Sequence, residues 1–248
     1  MYLKGKRIVV TGASKGLGLG IVKRLANEGA DIIAHYNSGD INEAQKIAEE
    51  AGVLFTAFQA DLSNEKETFA LTEKILGCGE IYGLVNNAGI CFFEDFFDIT
   101  PESYDKTYAV NVKSAFILTQ QITKSMIING IKGRVVNFSS IASEAGTAVQ
   151  THYSGAKGAI NAFTKSAAAA LGPHGITVNA ILPGPIPTKH NSVFLFDEMV
   201  KSDLFDRMAL SEYGEPDNIA DAVVYLLGEK ANWTTGSLIT VDGGFLCK

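Results

Sequence analysis

The stretch that most limits what this chain can become runs from Arg7 to Leu25. A short β-branched run, Arg7 to Val10, ends in Thr11-Gly12-Ala13-Ser14-Lys15-Gly16-Leu17-Gly18, after which Leu17, Ile21 and Leu25 recur at helical spacing. The pattern predicts strand, glycine turn, helix. Gly12, Gly16 and Gly18 open backbone conformations denied to other residues and let a ligand reach the main chain, while a helix N-terminus offers unpaired N–H groups to a pyrophosphate. The spacing G-x-x-x-G-x-G departs from the G-x-G-x-x-G of the common dinucleotide turn and lacks the G-K-[ST] ending of a nucleoside triphosphatase loop. Glycine-rich turns are as often structural as ligand-binding, so the surrounding pattern has to decide.

That pattern repeats the unit. Strands are predicted at Asp31 to Tyr36, Val53 to Gln59, Ile81 to Val85, Gly133 to Phe138, Ile176 to Leu182 and Ser237 to Val241. Between them lie helical segments at Ile41 to Ala51, Glu65 to Leu76, Pro101 to Met126, Thr151 or His152 to Leu171, and Glu215-Pro216-Asp217 to Leu227. Strands separated by helices indicate an α/β fold with a parallel sheet covered on both faces. No repeat, low-complexity tract or linker interrupts it, so one domain over 1–248 suffices, with the aperiodic segment 189–210 as a lid over a cleft.

Composition narrows the function. At 248 residues and 46% hydrophobic content the chain can bury a large core. A net charge of −6 and a pI near 5.3 argue against a general affinity for nucleic acid or an anionic membrane. Cys78, Cys91 and Cys247 have neither zinc-ligand nor CxxC spacing and read as reduced, buried small hydrophobes. No metal site is expected. With no leader-like or spanning stretch, the protein is expected to be soluble and cytoplasmic.

Several polar residues fall at predicted strand ends, where open α/β sheets bind ligands. The second strand ends in His35-Tyr36-Asn37-Ser38, without the carboxylate that usually holds a ribose 2′-hydroxyl. Lys15 in the glycine turn can pair with a 2′-phosphate, or be a solvated loop charge; the combination points to NADP, with NAD as the alternative. Asp61-Leu62 can hold an adenine, or Asp61 can cap the next helix. Asn86-Asn87-Ala88-Gly89 ends the fourth strand, and its amides can tie strand ends together. Asn111 lies mid-helix between Val110 and Val112, a poor position unless its amide is needed. Ser139-Ser140 follow the fifth strand, and Tyr153 and Lys157 share one face of the next helix. A cation beside a phenol favours the phenolate, so Lys157 is expected to lower the Tyr153 pKa.

The glycine turn, Asn86-Asn87-Ala88-Gly89, Asn111, Ser140, Tyr153-x-x-x-Lys157 and Pro183-Gly184, in this order and spacing, resemble the short-chain dehydrogenase/reductase family over essentially the whole chain. The resemblance implies a Rossmann-type doubly wound parallel sheet of about seven strands, and a homotetramer or homodimer built on the helices of Asn111 and Tyr153. It implies Asn111, Ser140, Tyr153 and Lys157 as catalytic. Tyr153 would exchange the proton, Ser140 hold the reacting oxygen, Lys157 hold the nicotinamide ribose, and Asn111 position a relay water.

Cofactor contacts would come from Gly12, Ser14, Lys15, Gly16, Leu17, Gly18, Tyr36, Asn37, Asp61, Leu62, Asn87, Gly89, Tyr153, Lys157, Pro183, Gly184, Ile186 and Thr188. Asn87 to Cys91, Gln150 to Tyr153, Ala170 to Pro173 and Asn179 to Gly184 are similar to the L-rhamnose 1-dehydrogenase branch, which oxidises a cyclic sugar to a lactone. Its small-molecule substrate would meet Ser140, Gln150, His152, Tyr153, Pro185 and Asn191, although His152 can equally cap its helix. Ala142, Pro185 and Asn191 depart from that branch, where two polar residues and an acid are expected. A 3-oxoacyl carrier-protein reductase and a non-catalytic dinucleotide sensor are the competing readings. The sensor has no need of the four catalytic residues together.

Overall fold

A computed structural model describes residues 1–188 and 195–248. Each predicted strand forms: β1 (Arg7–Thr11), β2 (Asp31–Tyr36), β3 (Phe55–Gln59), β4 (Gly83–Asn86), β5 (Arg134–Phe138), β6 (Thr177–Pro183) and β7 (Leu238–Val241). They make one parallel seven-stranded sheet in the order β3-β2-β1-β4-β5-β6-β7. The chain winds outward in one direction from β1 and in the other from β4, so a crevice opens between the carboxyl ends of these two strands.

Successive strand residues serve opposite faces, and both faces are buried. Ile8 and Val10 of β1 join one core, whereas Val9 between them joins the other. The first core is closed by α1 (Gly16–Asn27), through Ile21, Val22 and Leu25, and by α8 (Pro216–Leu227), through Ile219, Val223 and Leu227. On the second face lie α3 (Glu65–Leu76), α5 (Ser114–Ile128) and α6 (Thr151–Leu171), contributing Leu71, Ile75, Leu118, Ile122 and Ala168. Burying each such Ile or Leu is worth about 1.5–3 kcal/mol. Double-sided burial explains why these strands read as continuous apolar runs. Among the described residues the other α-helices are α2 (Asn42–Ala51), α4 (Pro101–Tyr108) and α7 (Glu198–Arg207).

The predicted helix from Pro101 to Met126 is three pieces. Between α4 and α5 lies a π-helical segment, Ala109–Lys113, with Asn111 at its centre. Single π turns inside α-helices relax the backbone pattern locally and are frequent at functional sites. Of the expected lid, 189–194, including Asn191, lies outside the described residues, and α7 occupies most of the rest.

Candidate active site

The glycine turn joins β1 to α1 by close backbone packing. Gly12 and Gly16 have φ of +68° and +55°, and a Cβ on Gly18 would stand 2.0 Å from the Gly12 carbonyl oxygen. Asn64 and Thr100 cap α3 and α4 with their side chains, but α1 has no side-chain cap and no acidic residue in its first turn. The N–H groups of its first turn therefore suit an anion. The turn lines a cleft of about 430 Å³ with Asn37, Ser38, Asp61, Leu62, Asn87, Gly89, Lys106 and Thr188. Of these, only Asp61 is acidic, and its carboxylate accepts from Ser63 N and Oγ at 2.9 and 2.8 Å. An uncapped helix end, an apolar Leu62 wall and no carboxylate at the β2 terminus fit a dinucleotide carrying a 2′-phosphate.

Buried amides hold the strand ends in register. Asn86 donates to Asn137 Oδ1 at 2.9 Å and to Thr119 at 3.0 Å, and Asn137 donates to Thr164 of α6 at 3.0 Å. Asn87 donates to the Thr11 carbonyl at 2.8 Å. The helix bearing Tyr153 and Lys157 is thus tied by side chains to β4 and β5.

Ser140 follows β5, and its Oγ accepts from Ala142 N at 3.1 Å, capping a 3₁₀ turn, Ile141–Ser143. It also meets the phenol of Tyr153 across from it. Ser139 donates instead to the Lys157 carbonyl at 3.0 Å, so the two serines divide into one facing the phenol and one anchoring α6. Lys157, 4% exposed, donates to the Phe138 carbonyl at 2.8 Å and lies 5.5 Å from the Tyr153 ring centre. Asn111 is pinned on the other side. Its amide accepts from Ile90 N at 3.1 Å and donates to Ile90 O at 2.8 Å, and a Cβ on Gly89 would strike Asn111 Oδ1 at 2.7 Å. Gly89 is what lets Asn111 and Lys157 crowd against the cleft wall.

The electrostatics correct one sequence expectation. Burial raises the Tyr153 phenol above its ordinary value, Cys91 adds to the rise, and only the Ser140 hydrogen bond opposes it. The amino group of Lys157 is engaged by Phe138 rather than by the phenol, so desolvation outweighs the cation that helical spacing supplies.

Burial also lowers Lys157, from 10.5 to about 8. Between those values the unfolded chain holds a proton that the native chain has released, so stability rises with pH through the window and levels off above it. Without cofactor, the wild type is expected to gain on the order of 3 kcal/mol between about pH 8 and 10.5 relative to Lys157→Met. Denaturant unfolding of both proteins across that range measures it, and parallel curves would refute the buried-charge penalty.

Most expected cofactor residues line the cleft: Gly12, Ser14, Lys15, Gly16, Leu17, Gly18, Asn37, Asp61, Leu62, Asn87, Gly89 and Thr188. Tyr36, Tyr153, Lys157, Pro183, Gly184 and Ile186 do not. Ile186 is 5% exposed within the first core, and Gly184 accommodates Asp242, whose Cα a Cβ there would approach to 2.5 Å. Asp61 turns back on Ser63 while the cap of α3 is Asn64, a correction to the capping alternative.

Gln150 stands at the start of α6, its Nε2 donating to Cys91 Sγ at 3.0 Å and its Oε1 accepting from Thr147 at 3.1 Å. His152 neither caps α6 nor opens to solvent. It is 4% exposed, stacked near Phe92, with Nε2 3.5 Å from Glu94. Pro185 is half-buried away from the cleft lining. The cysteines are free, but none is buried as expected; Cys247 is exposed, and Cys78 and Cys91 are intermediate.

Sequence reasoning missed His35, Lys106 and Cys91. His35 accepts from Gly12 N at Nδ1, 3.3 Å, and Nε2 lies 3.0 Å from the Ala60 carbonyl, which places its proton on Nε2 and braces the glycine turn. Its position beside Tyr36 at the β2 end was the available signal. Lys106 reaches the cleft from α4, 45 residues along the chain from Asp61, with no local signal.

A family model described as enoyl-(acyl carrier protein) reductase matches residues 12–246. L-rhamnose 1-dehydrogenase (NADP(+)) of Thermoplasma acidophilum is 38% identical over 98% of this chain and 97% of its own length. L-xylulose reductase of Bos taurus is 36% identical over 99% and 98%. The crystal structure of a blue fluorescent protein from a metagenomic library in complex with NADPH superposes with a TM-score of 0.91, at 35% identity and 99% coverage of both chains. Near-complete coverage by named dehydrogenases and reductases, on a fold that gathers Ser140, Tyr153 and Lys157 beside the glycine turn, makes this chain a member of the short-chain dehydrogenase/reductase family of oxidoreductases.

Proposed function

We propose that the protein oxidises an aldose at its anomeric carbon to a lactone, using NADP in preference to NAD. The observation that carries the proton-transfer chemistry is the half-buried Tyr153 facing the half-buried Ser140, with the buried Lys157 behind them at the sheet's carboxyl edge. Tyr153 would take the proton of the substrate hydroxyl as a phenolate, which the positive charge of an oxidised nicotinamide would favour against the burial that raises the phenol, and in the reverse direction would return it. Ser140 hydrogen-bonds the reacting oxygen and holds its direction. Lys157, lowered to about 8, holds the ribose and passes protons at near-neutral pH, and the π segment at Asn111 frees backbone to seat a relay water beside it. The nicotinamide, when bound, supplies the hydride acceptor.

The sugar reading is supported by Gln150, whose amide can serve neighbouring hydroxyls, and by relatives named for sugar substrates. NADP is supported by the cleft lacking a ribose carboxylate, and by the NADP(+) and NADPH in the names of similar proteins. Residues 189–210 would act as the lid of one domain. The tilted, partly exposed pair Phe116 and Phe163, 5.7 Å apart on α5 and α6, supports assembly through those helices. Among the described residues no helix is long and apolar enough to cross a membrane.

The acyl reading keeps one support, the description of the family model. Against it, Lys189, Lys201 and Arg207 in the expected lid are balanced in the sequence by Asp197, Glu198, Asp203 and Asp206, whereas an acidic carrier protein would want an excess of basic charge there. A panel of aldoses and acetoacetyl thioester, each with NAD and NADP, decides by nicotinamide absorbance. Sugar oxidation with NADP is the expected result. Thioester reduction without sugar oxidation would replace the proposal.

A further inference from the structure

Cys91 has no part in the chemistry above, yet it stands among the groups that do. It is close enough to Tyr153 and Lys157 to bias the ionisation of both, and Gln150 donates to its sulfur at 3.0 Å. The other end of that amide is held too, Oε1 accepting from Thr147 at 3.1 Å. A side-chain amide has two orientations that exchange oxygen and nitrogen, and its surroundings must choose between them.

Here the thiol makes the choice. The Cys91 sulfur lies 3.8 Å from the Phe92 carbonyl oxygen, an acceptor within reach of its S–H. Burial pushes the thiol up to about 11, so the proton is retained at neutral pH. With its hydrogen engaged, the sulfur presents lone pairs towards Gln150, and only the NH₂ end of the amide can meet them.

The geometry points to Cys91 as a positioning residue that locks the Gln150 amide in one orientation, leaving one N–H and one Oε1 lone pair in a set order to read two substrate hydroxyls. Its kinetic consequence rests on the sugar reading; the contact itself does not.

Two measurements test it separately. In a Cys78→Ser/Cys247→Ser background Cys91 is the one thiol left, and its alkylation by iodoacetamide can be followed against pH. Donation from Gln150 stabilises the thiolate, so Gln150→Leu is expected to move the alkylation midpoint upward and slow the reaction several-fold at pH 9. An unchanged profile would overturn the contact whatever the substrate is.

With an aldose that the wild type oxidises, Cys91→Ala is expected to raise KM roughly five- to ten-fold, with kcat and NADP affinity within about two-fold. Cys91→Ser, whose hydroxyl also donates and accepts, should restore most of the loss. A KM in Cys91→Ala equal to wild type, or no rescue by serine, would overturn the inference. Failure of every aldose would remove the substrate reading and leave the alkylation profile to decide the positioning role.

Discussion

Tyr153→Phe is expected to lower kcat by about 10²- to 10⁴-fold while leaving NADP affinity and thermal stability close to wild type, because positioned proton transfer supplies a rate factor of that size. The substitution removes one oxygen and keeps the ring. The lost hydroxyl faces Ser140, which retains Ala142 N as a partner, so no buried group is orphaned by the change. Cofactor contacts should persist, since Lys157 is held by the Phe138 carbonyl at 2.8 Å and the cleft is walled by the glycine turn, not by the phenol. Steady-state rates by nicotinamide absorbance, with NADP binding by calorimetry, separate the two effects. A rate within ten-fold of wild type would remove Tyr153 from the chemistry. A lost NADP affinity would show that its role is structural.

Gly18→Ala should fail differently, through the cofactor site and the fold. The added Cβ would stand 2.0 Å from the Gly12 carbonyl oxygen and 2.7 Å from Asn87 Nδ2. Neither neighbour can yield cheaply. The first is backbone in a turn at positive φ, and the second donates to the Thr11 carbonyl at 2.8 Å across the β1–β4 crevice. Overpacking of this kind costs about 1–3 kcal/mol or more. It also displaces the uncapped first turn of α1 from the cleft, so NADP affinity should fall by about 100-fold or more. Denaturant unfolding with and without NADP checks both. Unchanged stability together with unchanged NADP binding would mean that the turn is not packed as described.

The legible part of the molecule was its local part. Alternating apolar runs and the punctuation between them located every strand, placed Glu65–Leu76 to the residue and placed Thr151–Leu171 to within one residue at its start, because those signals lie within a few positions of one another. The awkward Asn111 was visible as an anomaly, but its resolution, a π segment that aims the amide at Ile90, needed a neighbour 21 residues away. Cys91 and Gln150 are 59 residues apart, and three scattered cysteines gave no hint of the contact. His152 read as a cap or a sugar contact because nothing near it in the chain announces Glu94.

Sequence alone therefore determined the α/β class, the glycine turn at the first strand end, and the chemical types gathered at Ser140, Tyr153 and Lys157. Tertiary structure decided how those groups are charged. Helical spacing put a cation beside the phenol, but the sheet order that brings β4, β5 and α6 together also removes water from both groups, raising Tyr153 and lowering Lys157. Periodicity is written in neighbours along the chain, whereas desolvation is a sum over everything that packs around a side chain, and it exists only once the fold has closed.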